Sequence, residues 1–129
     1  MSIEALAMVK EAMSDMGLDY AFMEYKQEPG EALPETYFVG EYQELEPVNE
    51  DGEEDTIFIL NGFSRGKWLK LEEAKEKVKG YFPQAVGRKA ATGQGSVTAI
   101  FYGNSLPVPV EDGELKRMQI NLTVKEWKV

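Results

Sequence analysis

The residues with the most obvious chemical potential in this chain are carboxylates. Between Glu41 and Asp55 stand eight acids and no base: Glu41, Glu44, Glu46, Glu50, Asp51, Glu53, Glu54 and Asp55. Hard oxygens around the turn NEDGEED would suit a divalent cation. The spacing departs from the calcium-binding loop between two helices, in which acids alternate and a Glu follows the Gly at a fixed offset. Two other readings remain open, a solvated hairpin tip and a docking surface for a basic region of a second copy. Paired carboxylates can also do acid–base work on glycosides, yet nothing marks two of the 23 acids as such a pair. The segment GRKAATGQGS has the composition of a phosphate-cradling loop but lacks the Gly-Lys-Ser/Thr ending. It reads as a loop presenting Arg88 and Lys89. In FSRGKW, Arg65, Lys67 and Trp68 are residue types that anchor interfaces, or else they mark a helix start with Trp68 packed on the core. Trp127 invites the same two readings. The chain has no His and no Cys, which removes the commonest general base and every thiolate or disulfide. No catalytic, cofactor-binding or metal-ligating residue is therefore assigned, and no cofactor is expected.

Charge gives a stronger signal than any motif. Residues 1–64 carry 16 acids against Lys10 and Lys26, a net of −14, whereas residues 65–129 carry 12 bases against seven acids, a net of +5. A molecule with two opposite regions can attract copies of itself. Such head-to-tail contacts close into rings when the rotation per subunit closes. A pI near 4.6 argues against binding a nucleic-acid backbone with the whole surface, so no direct sequence-specific nucleic-acid contact is expected. The start has acids through its apolar part, unlike a signal peptide. No run of about 18 apolar residues suggests a membrane span.

The elements that must position these charges can be read from periodicity. Ser2 is placed to cap a helix with the apolar stripe Ile3, Leu6, Val9, Met13 and Met16, ended by Gly17. Strands are expected over Tyr20–Lys26, Tyr37–Glu46 and Thr56–Ser64, separated by QEPGEALPE and the acidic connection PVNEDGEED. Lys67–Phe82 reads as a second helix with Leu71, Ala74, Val78 and Tyr81 on its apolar side, a Glu73–Lys77 pair, and Pro83 as its stop. Gly87–Ser96 reads as a loop, Val97–Tyr102 as a strand, and GNSLPVPVEDGE as an irregular connection. In the last segment Met118, Ile120, Leu122 and Val124 alternate with Gln119, Asn121, Thr123 and Lys125, the mark of a half-buried strand. Trp127 and Val129 fall on the other parity, so a bulge near Glu126 is expected.

These elements predict a single α+β domain over residues 1–129 in the order α-β-β-β-α-β-β. The sheet is expected to be mainly antiparallel, with two helices packed on one face. Loop segments Pro47–Glu54 and Arg88–Gln94 are expected to be the most mobile parts.

The run YFVGEYQELEPVNEDGEEDTIFILNGFSRGKWLKLEEAKEKVKGYF and the ending LPVPVEDGELKRMQINLTVKEWKV resemble small proteins encoded in tail-gene clusters of long-tailed phages and prophages (siphoviruses) of Gram-positive bacteria. The matching features are the strand–acidic loop–strand, the Lys/Glu-rich helix and the closing strand with its KEW ending. Size and element order are most similar to the tail-completion or tail-terminator type, α+β proteins that form a hexameric ring capping the tail tube. The resemblance implies a structural virion protein rather than an enzyme, made in the bacterial cytoplasm. Its implied partners are itself, the tail-tube protein and the head–tail connector. It transfers no individual functional residue. A head–tail connector (neck) protein and an acidic DNA-mimic inhibitor are the alternatives.

Overall fold

The computed structural model describes residues 1–46, 52–91 and 95–127. The element order is α1 (Ile3–Asp15), β1 (Tyr20–Phe22), β2 (Thr36–Glu44), β3 (Glu53–Ser64), α2 (Trp68–Tyr81), β4 (Arg88–Ala91), β5 (Val97–Val108) and β6 (Lys116–Trp127). The six strands form one sheet in the order β1-β2-β3-β6-β5-β4. The fold is α+β with a mixed sheet: β1 pairs parallel with β2, and the other four pairings are antiparallel.

The parallel pair departs from the expectation for three consecutive strands. The cause is the long connection over residues 23–35, which returns the chain to the start of the sheet before β2 begins; parallel neighbours need such a crossover. β1 is also shorter than expected. Met23 takes a left-handed conformation at φ 68° and Glu24 N–H donates to the Phe22 carbonyl at 2.8 Å, so the strand turns off after Phe22.

α1 begins as its sequence dictates, with the Ser2 hydroxyl accepting from Ala5 N–H at 3.0 Å, and Gly17 leaves it at φ 69°. Its buried stripe is Ala5, Val9, Ala12 and Met13; Ile3 is 82% exposed and does not belong to it. In α2 the buried residues are Leu71, Ala74 and Val78. Lys77 reaches the Met16 carbonyl at 3.3 Å rather than Glu73, and the intrahelical ion pair is Lys75 with Glu72. The buried residues of both helices join one core cluster with Phe38, Phe58, Leu60, Met118, Ile120, Leu122 and Val124, the even-numbered side chains of β2, β3 and β6.

Three expectations in the second half are corrected. Arg88–Ala91 is a strand, not a loop, paired with Val97–Ile100 of β5. β5 continues through Gly103, Asn104 and Pro107 to Val108, with one register shift between Tyr102 and Asn104. β6 shows no bulge near Glu126 and stays in register with β3 to Trp127. Glu126 keeps the inward parity and is buried, accepting Ser2 N–H at 3.0 Å. A half-buried amide at the start of α1 thus satisfies a carboxylate that the alternation drives inward.

Candidate interaction surface

The strand order turns the charge split of the sequence into a split across the sheet. β1, β2 and β3 come from the acidic half of the chain, and β6, β5 and β4 from the basic half. β2 carries Glu41 and Glu44, and β3 carries Glu53, Glu54 and Asp55, with no base in either strand. Asp19 and Glu24 bracket β1. On the other side, β4 carries Arg88 and Lys89, and β6 carries Lys116, Arg117 and Lys125 beside Glu126. The two regimes meet where β3 pairs with β6. There Lys125 stands opposite Asp55 and lies 3.6 Å from Glu53.

Glu53, Glu54 and Asp55 were expected in a loop, but they form the first residues of β3. The pairing partner is long enough to capture them, with Trp127, Glu126 and Lys125 opposite. Alternation then sends Glu53 and Asp55 to one face and Glu54 to the other, so the three cannot close around one cation. Among the described residues no group of three or more acids is placed to hold a metal ion. Glu50 and Asp51 lie outside the described residues, as do residues 47–51 and 92–94 of the two expected mobile loops, and Val129. Burial raises the Asp55 carboxyl above its ordinary value, repulsion from Glu53 adds to this, and Lys125 opposes it. Asp55 Oδ1 is inaccessible and accepts no hydrogen bond.

Arg65 and Lys67 occupy the corner between β3 and α2. Arg65 Nη1 donates to Asp112 Oδ2 at 3.1 Å. The Asp112 carboxyl is held below the usual range by Glu114 N–H and then by Arg65. Arg65 thereby ties the 109–115 connection to the start of α2. Lys67 is the exposed N-cap residue and makes no side-chain cap. Trp68 does start the helix, but it is 40% exposed and lies outside the core cluster, which corrects the expectation of core packing. In β4, Arg88 is not a loop charge: its guanidinium sits 3.8 Å from the centre of the Tyr81 ring, a cation–π contact. Lys89 lies on the other face of the sheet, opposite Ala99. Among the described residues, the structure does not gather the candidates into one site. It places the described acids at β3, Arg65 and Lys67 at a corner, and Arg88 and Lys89 at an edge.

The open face of the sheet holds residues that charge reasoning missed. Arg117 Nη2 donates to Asn61 Oδ1 at 2.8 Å, and Asn61 Nδ2 donates to Glu41 Oε1 at 3.3 Å. Gln119 Nε2 donates to Asn121 Oδ1 at 2.9 Å, and Asn121 Nδ2 to Asn104 Oδ1 at 2.7 Å. Tyr37 stacks on Phe63 with centroids 5.3 Å apart. The alternation in β6 signals Gln119 and Asn121, but Asn61 and Asn104 come from distant strands, and the shift at Gly103 brings Asn104 into line. Such a surface of amides and rings offers hydrogen bonds and stacking. No helix among the described residues is long and apolar enough to cross a membrane. No protein-family profile and no curated protein matches this chain.

Proposed function

We propose that this protein is a structural component of a long-tailed phage or prophage, a tail-terminator or tail-completion factor. In this reading it forms a ring, hexameric by resemblance, at the head-proximal end of the tail tube and joins tail to head. Its place is the virion, its partners are further copies, the tube protein and the connector, and it performs no catalysis.

The observation that carries the reading is the charge order across the sheet. On one copy the acidic strand β2 and the basic strand β4 are separated by β3, β6 and β5, a span of about 19 Å at ordinary strand spacing. The two strands are too far apart to meet within one copy, so attraction between them acts between copies, and such a contact between unlike surfaces closes into a ring when the rotation per subunit closes. In this reading both helices pack on one face of the sheet, as the shared core of α1 and α2 supports, and the other face stays free for a tube or connector surface. A DNA mimic would need acids spread at phosphate spacing, whereas the strands here change sign halfway across the sheet.

Deleting the gene from the phage or prophage and imaging the particles tests this reading. The expected result is unjoined heads and tails, or tails of irregular length. Fully infectious particles with normal tails would reject it.

A further inference from the structure

The two outer strands of the sheet are complementary in more than charge. β1 and β4 are the shortest strands, of three and four residues, and outer strands present unpaired backbone groups that another chain can complete. In β1, the Asp19 carbonyl accepts from Phe38 N–H and Met23 N–H donates to the Gly40 carbonyl, both at 2.8 Å. By alternation the Tyr20 N–H and carbonyl and the Phe22 N–H point away from β2, while the Phe22 carbonyl already accepts from Glu24 N–H. Beside this edge runs a mainly apolar groove of about 440 Å³ between α1 and β1, lined by Ile3, Leu6, Ala7, Tyr20, Ala21 and Phe22, with Lys10 as its charged member. Met23, 62% exposed, follows it. All four residues of β4 are exposed, and Val86, 62% exposed, precedes them.

Cations on an outer strand commonly guard it against pairing with its own kind. Here Arg88 and Lys89 repel a second β4, but the β1 edge is bracketed by Asp19 and by Glu24, which sits in an exposed pair with Lys26, so the same charges favour the unlike edge. Ala90 and Ala91 bring no bulk that would keep the backbones apart. Resting on the self-assembly reading above, we propose that β4 of one copy pairs along β1 of a second copy, with Val86 covering the α1–β1 groove. The sheet then runs on from subunit to subunit.

Continuity of the sheet dictates which side chains meet. Ala21 shares its face with Val39, and Ala91 shares its face with Val97; both belong to the open face, whereas Ala90 lies on the helix-covered one. The chain has no Cys, so engineered thiols report without background. Oxidising the Ala21→Cys/Ala91→Cys variant should give a ladder of covalent multimers, and Ala21→Cys/Ala90→Cys should not. In the Ala21→Cys/Ala91→Cys background, Lys89→Glu should abolish the ladder, and adding Asp19→Lys should restore it. Light scattering on the unmodified protein, with and without tail tubes, runs alongside. Multimers by light scattering without the 21–91 ladder, or equal ladders from both thiol pairs, would overturn the edge pairing while leaving self-assembly standing. A protein monomeric in every condition would overturn both.

Discussion

The two faces of the sheet follow opposite rules. On one face, Phe38, Phe58, Leu60, Ile120, Leu122 and Val124 are all essentially inaccessible and share one core with the buried residues of α1 and α2. On the open face, Val39, Ile57, Ile59 and Phe63 alternate with Asn61, Gln119, Asn121 and Thr123 across neighbouring strands, and nearly all are only half-buried. Parity along a strand therefore decides whether a residue supplies stability or surface chemistry. The largest test of that contrast compares two phenylalanines in the same strand. Phe58→Ala should cost about 3–5 kcal/mol, the usual penalty for emptying a packed aromatic site. Phe63→Ala removes a half-buried ring that rests on Tyr37 and under Arg117, and should cost about 1–2 kcal/mol, from partial burial and ring stacking together. Urea unfolding of both variants measures the difference. Equal losses would mean that the open face has a core of its own.

A smaller effect tests how tightly the covered face is packed. A Cβ added at Gly62 would stand 2.5 Å from the Phe38 ring, its cross-strand partner, and 3.1 Å from Leu71. Gly62→Ala should destabilise the fold by about 1–3 kcal/mol through overpacking, seen as a lower urea midpoint at unchanged slope. A neutral outcome would show that the Phe38 ring has room to turn.

The covered face was legible in the sequence wherever a long run obeyed one period. Met118–Val124 displays the strand by alternation, and Leu71, Ala74 and Val78 display the helix. What escaped was structure imposed by a partner. Arg88-Lys89-Ala90-Ala91 has no strand propensity of its own and exists as β4 because β5 lies beside it. Gly103, Asn104 and Pro107 read as punctuation, yet β5 continues through them. β4 covers only residues 97–100, so beyond that point β5 has β6 on one side alone, and Pro is tolerated on such an edge. The charge split was likewise visible in the residues. Its meaning depended on β6 inserting beside β3, a pairing between distant segments that no local pattern encodes.

The smallest expected effect sits where the acidic and basic regions meet on the open face. Asp55 is raised above its ordinary value of 3.8, chiefly by burial and then by Glu53, with Lys125 acting against both. A carboxyl with a raised value in the folded state binds its proton more tightly there than in the unfolded chain. Its contribution to stability is present at acid pH and is lost as pH rises from the ordinary value through the raised one. Asp55→Asn removes that loss while keeping the side chain's shape. The variant should equal the natural protein in acid and exceed it at neutral pH. The gain should be small, about 0.5 kcal/mol or less, because Lys125 offsets the cost and surface substitutions stay in that range. Urea midpoints followed from acid to neutral pH provide the check. A variant less stable than the natural protein at neutral pH would mean that the Asp55–Lys125 attraction outweighs burial, and that the border between the two charged halves stabilises each copy rather than straining it.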